Sequence, residues 1–161
     1  MDGVLRASNF DQNFDEELWY APLMEGELAL PAGSVPEPFI DLEDVADVAT
    51  AVLTEPGLHA GRVYELTGPR ALTFAEAVEV LALASGLPMT YRQISPQEYT
   101  DVLVARGVPR EAAQHVSEMF VMMARGVIAG TTDDVRAVLG RPPRSFEEYA
   151  VRAAAAGAWR R

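Results

Sequence analysis

The 161-residue chain contains no cysteine. Disulfides, thiolate metal sites and a cysteine nucleophile are therefore excluded, and the composition suits a reducing compartment. Basic residues are also scarce, 13 against 24 acidic ones for a net charge of −11. They form no block, so nothing could neutralise the run of phosphates that a nucleic acid presents. No apolar run approaches the ~20 residues of a membrane-crossing helix. The acidic N-terminus has neither the charged nor the apolar region of a signal peptide. The expectation is a soluble, cytoplasmic protein that engages neither nucleic acid nor membrane.

What is present suffices for a packed core. Apolar residues make up 49% and charged residues 23%, a globular balance and not a disordered one. A chain of this length is expected to fold as one domain, residues 1–161, burying about 70% of the surface its unfolded form exposes. No internal repeat or low-complexity linker divides it.

Residues 3–6 read as the end of a buried strand. Phe10, Phe14 and Leu18 then recur at four-residue spacing among Asp11, Asp15, Glu16 and Glu17. That spacing predicts an amphipathic helix with an acidic outer face, ended by Pro22 and Gly26. Residues 27–30 form a second short strand, followed by PAGSVPEP, a loop with three prolines. Val45, Val48, Ala49, Val52 and Leu53 make the apolar stripe of a helix, with Asp41 or Asp44 capping its start and Pro56-Gly57 stopping it. RVYELTG and MTYRQI read as two further strands. Thr73 with Glu76, Ser95 with Glu98 and Ser145 with Glu148 are capping boxes. Thr131 with Asp134 is a similar start signal, and Pro109 opens another helix. The C-terminal half is mostly helical by this reading.

Taken in order, LRASNFDQNF, PFIDLEDVADVATAVLTEP, AGRVYELTGPRALTFAEAVEVLALASG, TYRQISPQEYTDVLVARGVP and TTDDVRAVLGRPPRSFEEYA resemble the second half of the NmrA-like proteins. These are atypical short-chain dehydrogenase/reductases, many of them NAD(P)-binding oxidoreductases or redox-sensing regulators. The resemblance implies an α/β fold, the second half of a doubly wound, Rossmann-like domain. A small residual sheet would carry a mostly helical C-terminal region. In that family the first half holds the dinucleotide on a G-x-G-x-x-G/A turn, and no glycines of this chain fall at that spacing. No lysine follows Tyr20, Tyr64, Tyr91, Tyr99 or Tyr149 at the offset of a Tyr-x-x-x-Lys pair. The family's cofactor is NAD(P); this chain alone is expected to bind none tightly.

The resemblance also places LRASNF at the strand-to-loop segment beside the nicotinamide and the substrate. It implies substrate contacts from Ser8, Asn9, Phe10, Gln12 and Asn13, although the family more often has proline where Ala7 stands. Asn and Gln at a cleft mouth fix a ligand's orientation by hydrogen bonds, and the same residues can equally cap a helix or face solvent. Phe10, Phe14, Trp19 and Tyr20 suit an aromatic pocket or, by the same spacing, core packing; Trp19 is kept as a substrate-binding candidate. Asp41 and Asp44 read as caps before catalysts. His59 and His115 have no partners at metal-ligand spacing, so no metal site is expected. No serine sits in a G-x-S-x-G elbow, and no catalytic residue is identified. Met119, Phe120, Met122 and Met123 form an apolar patch for the core, a substrate or another subunit.

The favoured function is the substrate-binding portion of an NmrA-like NAD(P)-dependent oxidoreductase, truncated or split, acting on a small-molecule substrate. The alternatives are a cofactor-independent cyclase or isomerase on a reduced dehydrogenase scaffold, and a non-enzymatic regulatory or protein-binding module. Unpaired strand edges lead to the expectation of a homodimer or a partner subunit.

Overall fold

A computed structural model describes residues 3–16, 18–126 and 129–160; Glu17, placed in the acidic helix face by the sequence, lies outside them. The first strand, β1 (Val4–Ala7), pairs in parallel with β3 (Val63–Leu66), Val4 opposite Val63 and Ala7 opposite Leu66. The second, β2 (Glu27–Leu30), pairs in parallel with β4 (Thr90–Gln93), Glu27 opposite Thr90. Both pairings are crossover connections, the hallmark of α/β topology, because parallel neighbours cannot be joined by a tight turn.

Each sheet has its own core. Ile40, Val48, Tyr64, Leu66 and Val135 are buried together under β1 and β3, with α2 (Leu42–Thr54) and α7 (Asp134–Leu139) as the cover. Alternation sends Tyr64 and Leu66 inward and leaves Val4 and Val63 outward, 45% and 50% exposed. A parallel sheet is normally covered on both faces; this one is covered on one. The larger core joins Leu28 and Leu30 of β2 to α4 (Phe74–Ser85), α5 (Pro96–Ala105), α6 (Arg110–Met123) and α8 (Phe146–Ala156). At its centre Phe14 meets Trp19, Phe39 and Phe146 at ring-centroid distances of 4.7, 5.3 and 5.3 Å, separations at which aromatic pairs attract beyond their area burial.

The three capping boxes form as the sequence predicts: Thr73, Ser95 and Ser145 each accept from the backbone N–H three residues on, and Glu76, Glu98 and Glu148 reach back. Four expectations change. The helix expected through Phe10, Phe14 and Leu18 is instead a 3-10 turn, Asp11–Phe14, followed by α1 (Tyr20–Glu25). Pro22 does not end a helix but sits in the first turn of α1, where its missing N–H has no intrahelical acceptor to lose; Gly26, with φ of 103°, makes the stop. Pro56 ends α2 but also starts α3 (Pro56–His59) at its first position. The Thr131–Asp134 box does not form, because Asp134 accepts the Glu65 N–H at 2.7 Å.

That last contact positions the site. The backbone of Glu65 points away from β1, and the 130–134 loop caps it: Asp134 takes its N–H, and the Thr132 hydroxyl donates to its carbonyl. On the other flank, Val4 and Ser8 donate to Arg62 and Leu66. Alternation in a parallel ladder therefore turns the N–H groups of Leu5 and Ala7 outward, where no strand pairs with them among the described residues. Between the two strand exits runs the 37–40 segment, bridged to Phe10 and to Leu72. Gly68 is required there, because a Cβ would sit 2.0 Å from the Phe39 carbonyl oxygen. No helix is long and apolar enough to cross a membrane among the described residues.

Candidate functional site

In open α/β sheets ligands bind in the crevice beyond the carboxyl ends of the strands. Just there, at the exits of β1 and β3, lies a cleft of about 660 Å³. One wall is the β1 exit with Ala7, Ser8, Asn9, Phe10 and Asn13; the other is Leu66 and Thr67 with Gly130 and Thr132 of the capping loop. Arg6 and Glu65 form an exposed ion pair, 3.0 Å apart, at its edge.

Of the residues that the sequence puts forward, Ser8, Asn9, Phe10 and Asn13 line this cleft. Gln12 does not. Its Nε2 donates to Asp41 at 2.9 Å and its Oε1 accepts the Leu42 N–H at 3.0 Å, so it helps start α2. Trp19 is 3% exposed in the aromatic core and borders a different hollow of about 350 Å³ beside β2 and α5. Phe14 holds it there, because the chain turns between the 3-10 turn and α1 and does not continue as one helix. Arg6, Thr67, Gly130 and Thr132 are missed by the sequence reading. The carboxyl-end rule applied to VYELTG would have pointed to Thr67.

The polar groups of the cleft differ in how committed they are. Ser8 donates its hydroxyl to the Pro38 carbonyl at 2.5 Å and its N–H to Leu66. Thr67 Oγ1 accepts the Thr132 N–H at 2.9 Å, and because the Thr132 hydroxyl donates to Glu65, the Thr67 proton is directed at the Thr132 oxygen, a long contact of 3.5 Å that a ligand oxygen can replace. Asn9 donates to Glu37 at 3.3 Å. The Asn13 carboxamide makes no hydrogen bond with another described residue, while its main-chain carbonyl accepts the Trp19 N–H at 3.1 Å. The cleft therefore offers hydroxyls and carboxamides around an apolar floor. No Tyr, Lys or His is among its described lining residues.

Behind the β1 exit lies a group of buried acids. Asp41 caps α2, accepting from Glu43 N at 3.0 Å, and is paired with Arg152. Burial alone would raise its pKa, but the Glu43 N–H, Arg152 and Gln12 outweigh burial and hold it below the ordinary carboxylate value. Asp44, wholly buried, is held by Arg141 and Arg144. Asp11 has only the charge of Arg152 to lower its pKa. It is 1% exposed, neither carboxyl oxygen has a partner among the described residues, and burial, then Asp41 and Asp44, push its pKa up to about 8.

The residues fit one end of the dinucleotide that the family resemblance implies. Asn9, Asn13 and Thr67 offer donors and acceptors suited to a carboxamide. Among the described residues the pyrophosphate has no counterpart, since Gly130 is the one cleft-lining glycine among them, and the sequence has no G-x-G-x-x-G turn.

The sequence is 37% identical over 132 residues to the NAD(P)H azoreductase of Xenophilus azovorans, a match covering 82% of this chain and 46% of that protein. Triphenylmethane reductase of Citrobacter sp., solved with NADP(H), shares the fold at a TM-score of 0.77 and 25% identity, over 94% of this chain and 53% of that one. NmrA, a negative transcriptional regulator solved with NAD, shares the fold at a TM-score of 0.61 and 20% identity, over 94% and 52%. No protein-family model matches the sequence. The chain spans about half the length of the proteins it matches. The chain belongs to the NmrA-like atypical short-chain dehydrogenase/reductases, and its match to about half of such a protein is consistent with the C-terminal half.

Proposed function

We propose that this chain is the substrate-side portion of an NAD(P)-dependent reductase, and that the cleft between the β1 and β3 exits holds the nicotinamide end of the cofactor against a planar conjugated acceptor. The observation that carries this reading is the position of the cleft, at the carboxyl ends of two parallel strands, with the uncommitted carboxamide of Asn13 and the weakly held hydroxyl proton of Thr67 in its walls. An acceptor of azo-dye or triarylmethane type is favoured by the names of the related reductases and by the apolar floor of Phe10 and Leu66.

The bound cofactor would supply the hydride. The chain's own residues would position: Asn9 and Asn13 fix a carboxamide, Thr67 donates to a ligand oxygen, and Phe10 and Leu66 exclude water from one side. Most of the acceleration expected of these residues is orientation. The pyrophosphate cradle would come from a nucleotide-binding half, whose parallel strand would pair with the outward N–H groups of Leu5 and Ala7 and cover Val4 and Val63.

The test is a titration of the 161-residue chain with NADPH, following cofactor fluorescence and amide chemical shifts. Millimolar binding that perturbs Asn9, Asn13 and Thr67 is expected. Micromolar affinity from this chain alone, or perturbations confined to other surfaces, would sink the reading.

A further inference from the structure

Glu37 is a buried acid for which neither core has a use. It is 1% exposed, and its main chain is already satisfied by an antiparallel bridge: its N–H donates to the Leu72 carbonyl at 2.7 Å, and the Leu72 N–H donates back at 2.9 Å. Its carboxylate is left to side-chain partners, and the hydrogen bond it receives comes from Asn9 Nδ2. Asn9 lines the cleft, and its backbone is fixed because its carbonyl accepts the Ile40 N–H at 2.9 Å. Only its side chain has freedom to turn. One carboxamide thus joins the cleft wall to a buried acid.

A carboxamide has an accepting and a donating side of nearly the same size, and half a turn about its terminal torsion exchanges them. An ionised Glu37 can only accept, so Asn9 must aim its NH2 inward and leave its oxygen for the cleft. A protonated Glu37 can donate to that oxygen, which frees the NH2 to turn outward.

We infer that Glu37, acting through Asn9, sets whether the cleft offers a hydrogen-bond acceptor or a donor at this point, so that binding of a carbonyl-type ligand there takes up a proton on Glu37. The ligand half of this inference rests on the cleft being the binding site proposed above. Glu37 is a positioning residue in this scheme and touches no ligand.

The neighbours make the change fall in a useful range. Burial raises the Glu37 pKa, the Asn9 hydrogen bond opposes it, and the result is about 7; no charged side chain is among the causes. Facing it are Asn9 from the β1 exit and the uncharged Leu72 from the bridging segment, and the nearest buried acid along the β1 exit is Asp11. By linkage, a ligand that only accepts should bind tighter as pH falls through about 7. One hydrogen bond of difference corresponds to about fivefold in affinity.

The experiment is NMR on the full 161-residue chain between pH 5 and 9, with two control variants. The Glu37 carboxyl carbon should titrate near neutrality, and the Asn9 side-chain amide should move with the same midpoint. Glu37→Gln, which keeps the shape and cannot ionise, should abolish the Asn9 movement; Asp11→Asn should leave it in place. A Glu37 midpoint below pH 5, a stationary Asn9 amide, or a step that survives in Glu37→Gln or vanishes in Asp11→Asn overturns the switch. The wild-type traces decide the matter if Glu37→Gln does not fold. Acetophenone, an acceptor-only probe, should perturb Asn13 and Thr67 with about fivefold higher affinity at pH 5.5 than at pH 8.5, and equally at both in Glu37→Gln. Failure of acetophenone to perturb those residues at any pH overturns the cleft as the site, and with it the ligand half of the inference. Equal affinity at both pH values in the wild type overturns that half alone.

Discussion

Asp44 and Arg144, 100 residues apart in sequence, are joined twice: the Arg144 guanidinium pairs with one oxygen of the buried carboxylate and the Arg144 backbone N–H donates to the other at 2.6 Å. Arg141 adds a contact at 2.8 Å. The pair fixes the start of α8 to the flank of α2, and so holds the helical region against the sheet whose exits form the cleft. Both arginines are partly exposed and Asp44 is not, so the carboxylate is the member that cannot be replaced by water. Asp44→Asn keeps the shape and loses the charge. It should cost about 2 kcal/mol, the worth of a hydrogen bond to a charged group, read as a lower urea midpoint with an unchanged slope. Arg141→Ala, which leaves Arg144 in place, should cost less than half of that.

Asp11 should act in the opposite direction. Its pKa rises from 3.8 to about 8 on folding, so between those values the folded chain holds a proton that the unfolded chain has released. The folded state then binds more protons, and stability must fall as pH rises. As far as this group is concerned, stability is fullest below about pH 4 and is lost as pH rises through about 8. Asp11→Asn removes the ionisable group and should stabilise the protein at neutral pH by on the order of a few kcal/mol. The difference in stability between variant and wild type should shrink towards zero at pH 4. Because Asp44 is one of the charges that hold the Asp11 pKa up, Asp44→Asn should also lower that pKa. A variant less stable than wild type at pH 8 would refute the account.

What could be read from the sequence was what local chemistry decides. Thr73, Ser95 and Ser145 each pair with a glutamate three residues on, and such a box needs nothing from the rest of the chain. Phe14 and Trp19 could not be placed so easily, because their four-residue rhythm with Phe10 and Leu18 suits a helix, whereas Phe39, Phe74 and Phe146 draw them into a shared core from distant positions. Asp134 resembles a capping residue and is diverted to an exposed strand edge that the sequence does not announce. The cleft divides the same way. Ser8, Asn9, Phe10 and Asn13 come from one short segment that follows one strand, while Thr67 and Thr132 reach the cleft only through the β1–β3 pairing and a loop 65 residues further on. Asp11 and Glu37 escape notice because their peculiarity is burial, which a single polar letter does not show.

The outward edge of β1 makes a prediction about association. Ala7 turns its N–H away from β3, so Ala7→Pro removes a donor from the open edge without breaking a bond to β3; a strand residue before it already has the extended backbone that proline demands. The variant should fold and gain about 0.5 kcal/mol from reduced freedom of the unfolded chain. If the open edge drives self-association, light scattering should show a mass that grows with concentration in the wild type and stays nearer the monomer in Ala7→Pro. A wild-type chain that is monomeric at every concentration would remove the edge from consideration.

Asn13 and Thr67 separate ligand binding from folding. The Asn13 carboxamide makes no hydrogen bond with another described residue and Asn13 lines the cleft, so Asn13→Ala should leave stability within ~0.5 kcal/mol of wild type. If Asn13 holds a ligand carboxamide, the same change should weaken nicotinamide binding about five- to tenfold, the worth of one hydrogen bond, measured from shifts of the Thr67 amide. Thr67 is different, because its oxygen also accepts the Thr132 N–H and so holds the loop that caps the β3 edge. Thr67→Val should therefore lower both nicotinamide affinity and melting temperature, with faster amide hydrogen exchange at Thr132. Asn13→Ala that loses stability, or that binds nicotinamide as wild type does, would return Asn13 to a purely structural role and leave the ligand contact to Thr67, whose proton must first leave the Thr132 oxygen at 3.5 Å.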